Sequence, residues 1–123
     1  LYERALREAG APPFELALLG LGPDGHIASL FPDQESLSER SRLVIGIPQA
    51  GLEPFVPRIS LTLAALDGAE HIVVLVTGEN KADAVAGAFG PEAASDPHVP
   101  GSLLAPLAHE LTVLLDRGAA ARL

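Results

Sequence analysis

The sequence predicts an α/β domain built on a mostly parallel sheet flanked by helices on both faces. Short apolar runs of strand length alternate with segments of helical periodicity. Gly and Pro, 12 and 11 in number, punctuate the junctions between them. Of the 123 residues, 48% are hydrophobic, which suits one domain with a modest core.

Taken in order, Tyr2, Ala5, Leu6 and Ala9 recur at helical spacing, and Gly10 with Pro12-Pro13 stops that helix. Phe14 to Leu19 reads as a buried strand ending in a Gly-rich turn. A short helix is predicted from about His26 to just before Pro32, followed by a polar loop from Asp33 to Arg42. Leu43 to Ile47 is a second strand bounded by Pro48, and Pro54 and Pro57 bracket a turn. Ile59 to Thr62 leads into an Ala/Leu-rich helix that ends near Asp67-Gly68. His71 to Thr77 holds the clearest buried strand, Ile72 to Val76. Ala82, Val85, Ala86 and Phe89 mark one face of a helix terminated by Gly90-Pro91. Residues 90–101 form a loop, and Ser102 is placed to cap a short helix over Leu103 to Ala108. Leu111 to Leu115 is the last strand, and Ala119 to Leu123 a fraying helical tail.

Composition narrows the function. A formal net charge of −8 disfavours nucleic acid, whose phosphates are held by clustered Lys and Arg. An anionic substrate then needs a local positive pocket, and the supply is seven Arg and one Lys. No apolar run approaches the roughly 20 residues that cross a bilayer. The N-terminus carries charges of both signs where a signal peptide would be apolar, and cysteine is absent, so a cytoplasmic setting is expected. Methionine is absent too, and a bulky Leu1 is not a residue after which an initiator Met is trimmed. The chain is therefore expected to be a fragment lacking its first strands.

Gly20, Gly22 and Gly25 satisfy G-x-G-x-x-G after a strand, the dinucleotide fingerprint. The match fails in two respects. Phe31-Pro32 stops the following helix after little more than a turn, and no acid follows the next strand, which runs into Ile47-Pro48-Gln49-Ala50. Glycines still let backbone N–H groups approach an anion or oxyanion closely. His26, in a first helical turn, is expected to be neutral and able to accept a proton, with Asp24 capping through the N–H of His26 or Ile27. On local pattern alone, a structural turn with a surface histidine explains the segment equally well.

Leu19 to Pro32 carries the pattern G-x-G-x-D-G-H-x-A-S-L-F-P, Pro57 to Thr62 carries P-R-I-S-L-T, and Thr77 to Ala82 carries T-G-x-x-K-A. In this order the three resemble the signatures of 6-phosphogluconolactonases, within the glucosamine-6-phosphate isomerase/lactonase superfamily. The resemblance covers roughly residues 14 to 90; the first motif is highly specific and the other two less so. It implies a Rossmann-like fold of the NagB/RpiA/CoA transferase-like type, with residues 1–123 forming the C-terminal part of a single domain. It also implies hydrolysis of 6-phospho-D-glucono-1,5-lactone without metal or cofactor, by a monomer whose partner is a small sugar-phosphate lactone.

Carried onto this chain, the resemblance makes His26 the general base beside Asp24, with Gly22 and Gly25 in the substrate-binding turn. Lys81 would contact the substrate phosphate and Arg58 a second anionic group. A solvated surface lysine is the ordinary alternative for Lys81, weakened by a first-turn position where the macrodipole disfavours a cation by about 0.3–1 kcal/mol. A surface arginine at a strand entry explains Arg58 nearly as well. His71, His98 and His109 lack metal-ligand spacing, Ser29 lies outside any G-x-S-x-G elbow, and Asp116 reads as an end-of-strand turn residue.

Two other readings remain: a glucosamine-6-phosphate deaminase/isomerase, or a non-catalytic sugar-phosphate-binding regulator domain. The deaminase branch continues D-G-H-I-A with a Phe-Asn-Glu-Pro-like segment, whereas here Ser29-Leu30-Phe31-Pro32 follows. The Gly-rich phosphate loop and Asp-Glu-Arg motif of the family's N-terminal half do not occur, so the chain alone is expected to bind weakly or not turn over.

Overall fold

The computed structural model describes all residues, Leu1–Leu123. Three strands, β1 (Leu16–Leu19), β4 (Ala69–Val76) and β5 (Ala108–Leu115), form a wholly parallel sheet in the order β1-β4-β5. The register pairs Leu19 with Val74 and Val76 with Leu115. A separate antiparallel pair joins β2 (Val44–Ile47) to β3 (Arg58–Leu61). The predicted second strand thus lies outside the main sheet, because its partner is the segment that follows the proline-bracketed turn.

Helices cover one face of the sheet. Ile72, Val74 and Val76 point into a core shared with Ala84, Val85 and Ala88 of α3 (Ala82–Phe89) and with Leu63 and Leu66 of α2 (Leu63–Leu66). The predicted cover on both faces is not found. Leu16 and Leu18 are 60% and 67% exposed, and Leu75 and Leu114 lie on that same open face. A run of apolar residues suggests a strand buried on both sides, but β1 is an edge strand with alternating exposure.

Local chemistry accounts for the element boundaries. Thr62, fully buried, caps α2 by accepting the Ala65 N–H at 3.2 Å, and its hydroxyl donates to the Arg42 carbonyl at 2.7 Å. Helix α1 (Tyr2–Glu8) buries none of its residues, so its apolar spacing serves no core contact. It is attached instead through Glu3, which accepts the N–H groups of Leu43 and Val44 at 3.1 and 3.2 Å. The bond from Arg7, then those backbone bonds, hold the Glu3 carboxyl below the usual range.

Two predicted helices are absent. Between His26 and Pro32 the chain makes compact turns, with Ala28 in the left-handed region at φ 48°. Ile27, Leu30 and Phe31 follow the i, i+3, i+4 spacing of a helix, yet the turn delivers Ile27 and Leu30 to the main core and Phe31 to a separate cluster with Ile47 and Ala50. Beyond residue 100 there are two 3-10 turns, Pro100–Leu103 and Ala105–Leu107. Ser102 does not cap a helix there: its hydroxyl accepts the Asp96 N–H at 2.8 Å and ties the preceding loop closed. The polar segment after Asp33 includes a 3-10 turn, Glu35–Ser38, and Ala119 in the tail is fully buried rather than frayed.

The loop at 90–101 is fastened to the glycine turn. Gly101 N–H donates to the Gly25 carbonyl at 2.9 Å, and Asp33 N–H donates to the Pro97 carbonyl at 3.2 Å. His98 Nδ1 lies 2.5 Å from Asp33 Oδ1. The Asp33 bond, then the charges of Asp33 and Asp96, raise the His98 pKa above its ordinary 6.5. The pair's contribution is therefore complete below about pH 6.5 and is lost as pH rises through the raised value. A proton-NMR titration should place the His98 midpoint above 6.5, and Asp33→Asn should bring it back towards that value. An unshifted midpoint in the parent chain would refute the pairing.

Candidate active site

Parallel pairing places the C-terminal ends of β1 and β4 side by side, the edge at which ligands bind in open α/β sheets. The loop after β1 carries Gly20 to His26. The loop after β4 carries Gly78 and a 3-10 turn, Glu79–Lys81, that opens α3. Lys81 sits at the helix N-cap, one residue earlier than its predicted first-turn place. A cleft of about 400 Å³ between the loops is lined by Leu18 to Pro23, His26, Ala28 and Lys81.

His26 and Asp24 form a pair. Asp24 Oδ1 lies 2.6 Å from His26 Nδ1 and also accepts the His26 backbone N–H at 3.1 Å. An ionised carboxylate only accepts, so Nδ1 carries the proton and the Nε2 of a neutral ring is left as a proton acceptor. With no helix following, the dipole argument for His26 lapses, and Asp24 is what sets its tautomer and orientation. Phe31 packs on the imidazole at 4.6 Å between centroids, inclined by 38°.

Gly22 and Gly25 shape this turn from within. Gly22 N–H donates to the His26 carbonyl and Gly25 N–H to the Gly22 carbonyl, both at 2.9 Å. Neither N–H is free to meet an oxyanion in this arrangement. A Cβ on Gly22 would fall on Nδ1 and Cε1 of His26 and stand 2.8 Å from Asp24 Oδ1. Gly25 has φ 86°, and a Cβ there would meet Val99 Cγ1 at 2.9 Å.

Lys81 Nζ crosses the cleft to donate to the Leu21 carbonyl at 2.5 Å. His26 and Lys81, 55 residues apart in sequence, therefore share one wall-to-wall space. Arg58 does not line it. Its guanidinium donates to the Pro54 carbonyl at 3.0 Å and lies 5.7 Å over the Phe31 ring, while Nε is buried with no partner. Arg58 thus reaches His26 only through Phe31. Ser60, from the same segment, accepts the Ser29 N–H at 3.0 Å and locks β3 to the glycine turn. Phe31 and Ser60 lie within the quoted motifs, but nothing in their spacing announces these contacts.

A larger groove of about 740 Å³ runs between residues 34–42 and β2, but neither histidine nor lysine lines it. No three His, Asp or Glu side chains converge as a metal site would require. None of the helices is long and apolar enough to cross a membrane.

Fold and cleft together define an α/β protein with an oriented histidine and a lysine lining one cleft at the carboxyl edge of a parallel sheet. The model for glucosamine-6-phosphate isomerases/6-phosphogluconolactonase matches residues 1–113, and the chain belongs to that family. It is 41% identical over 128 aligned residues to a 6-phosphogluconolactonase of Mycobacterium tuberculosis, covering 99% of this chain and 50% of the relative. A human 6-phosphogluconolactonase is 40% identical, over 97% of this chain and 46% of its own length. The structure of the Trypanosoma brucei 6-phosphogluconolactonase superposes with a TM-score of 0.80 at 32% identity, covering 99% of this chain and 51% of that one. The chain thus spans about half the length of the relatives it matches.

Gly22→Ala should turn the imidazole out of the cleft, because the ring is the flexible partner in the clash. The expected result is a melting temperature within about 4 °C of the parent, the shift worth roughly 1 kcal/mol in a domain of this size. The downfield Nδ1 proton resonance of the Asp24–His26 bond should vanish at the same time. A variant that keeps that resonance would contradict the close approach.

Proposed function

We propose that the chain carries the base and phosphate-contact parts of a 6-phosphogluconolactonase, which hydrolyses 6-phospho-D-glucono-1,5-lactone to 6-phospho-D-gluconate in the oxidative pentose phosphate pathway. The carrying observation is that one cleft is lined by both Lys81 and His26, the latter held by Asp24. The 6-phosphogluconolactonases among its relatives support the choice within the family.

In this reading, Nε2 of His26 removes a proton from a water whose oxygen attacks the lactone carbonyl carbon. The tetrahedral intermediate collapses by breaking the bond to the ring oxygen, which takes the proton back from the imidazolium. Asp24 holds the ring through both steps and stabilises its transient charge. Lys81 exchanges its Leu21 carbonyl for a phosphate oxygen. Arg58, through Phe31, fixes the far side of the imidazole; direct contact with the substrate is not part of its role here. No step calls for a metal or cofactor, and a cytoplasmic setting accords with the absence of cysteine.

Both tests use a chimera in which this chain replaces the matched half of the Mycobacterium tuberculosis relative. His26→Ala should lower kcat for lactone hydrolysis by about 10²–10⁴-fold, the usual yield of a general base, while circular dichroism stays unchanged. Undiminished turnover would remove His26 as the base. Lys81→Ala should raise KM by about tenfold or more, the worth of a charge-assisted hydrogen bond, with kcat little altered. A loss confined to kcat would refute phosphate contact, and ammonia release from glucosamine 6-phosphate would favour the deaminase instead.

A further inference from the structure

Asp116 follows the last residue of β5 and lies beyond residue 113, where the family match ends. Leu115 pairs with Val76, so the turn after β5 runs beside the loop after β4. Both Asp116 carboxylate oxygens accept the Gly78 N–H, at 3.1 and 3.0 Å, and Oδ1 also accepts the Ala119 N–H at 2.7 Å. The Gly78 carbonyl in turn accepts the Lys81 N–H at 3.1 Å. Gly78 has φ 99°, a conformation open to glycine and rarely adopted by residues with a side chain, so the chain here keeps a glycine's backbone freedom until another contact removes it. A second contact reinforces it: a Cβ on Gly118 would stand 2.9 Å from the Glu79 backbone nitrogen, so the two turns touch backbone to backbone. Ala119, buried in the core, anchors the far end.

These contacts form one chain of constraint, from the buried Ala119 through Asp116 to Gly78 and on to Lys81. Asp116 lines no part of the cleft, and its carboxylate hydrogen-bonds to neither His26 nor Lys81. We infer that Asp116 is a positioning residue: by holding the Gly78 N–H it sets the turn from which Lys81 reaches the phosphate end of the cleft. The inference rests on the reading of Lys81 as the phosphate contact.

Two measurements test it. In the chain itself, amide hydrogen exchange of Asp116→Ala should quicken about tenfold at Gly78 and Lys81, as expected when one charge-assisted bond is lost. Exchange at Ile72 and Val74 in the core of β4 should not change. In the chimera, Asp116→Ala should raise KM about 5- to 20-fold with kcat within about twofold, and Asp116→Asn, which keeps an acceptor oxygen, should recover most of the loss. In a Lys81→Ala background, Asp116→Ala should add nothing further to KM.

A KM effect that adds in full to that of Lys81→Ala would overturn the inference, as would unchanged exchange at Gly78 and Lys81 or a parallel fall in kcat. If Lys81→Ala alone leaves KM unaltered, the phosphate reading fails and the inference falls with it. The exchange result would still separate that failure from a wrong account of the turn.

Discussion

The parallel pairing of β1 with β4 is the constraint on which the site depends. Parallel strands send their following loops to the same edge, and the register from Leu16↔His71 to Leu19↔Val74 sets how far each loop begins from the other. A slip of one residue would turn Leu19 and Val74 to opposite faces and move the glycine turn relative to Gly78. The register is secured because only one of the two faces is buried: Ile72, Val74 and Val76 must all enter the core together. Hydrophobic burial under α3 thereby fixes the distance between an imidazole and an ammonium whose residues are far apart in sequence.

Around that frame, most of the chemistry is held by bonds between segments rather than within them. Ser60 grips the Ser29 N–H, Gly101 grips the Gly25 carbonyl, and Arg58 and His26 share the Phe31 ring. The glycine turn is thus approached from β3 on one side and from the 90–101 loop on the other. On the proposed reading such support matters for a histidine in a loop, since a catalytic base must be held to within a fraction of an ångström. Asp24 alone fixes which nitrogen is free; the neighbours fix where it points.

Local patterns were legible in the sequence to the extent that local forces decide them. The run Ile72 to Val76 and the helix ended by Gly90-Pro91 are strands and helices by composition alone, and the structure has β4 and α3 there. The motif from Gly20 to Pro32 announced a histidine with its acid, and the two side chains do meet. The helix expected over His26 to Pro32 misled because Ile27, Leu30 and Phe31 mimic helical spacing while a turn through Ala28 sends them into two separate core clusters. Leu16 and Leu18 looked interior because apolar identity says nothing about whether a neighbour covers it. The Asp116–Gly78 contact spans 38 residues, and a lone aspartate after a strand carries no mark of its distant partner.

The bond between Lys81 and the Leu21 carbonyl satisfies the cleft's one lysine from within the chain. Its cation already has an internal ligand, so an incoming group binds by displacement rather than by simple addition. A hydroxyl offers an ammonium little that an amide oxygen does not, and the exchange is close to neutral. A phosphate dianion offers full opposite charge, and the exchange runs downhill. On the proposed reading, discrimination between a phosphorylated lactone and its unphosphorylated analogue is then a property of the competitor the protein carries within itself.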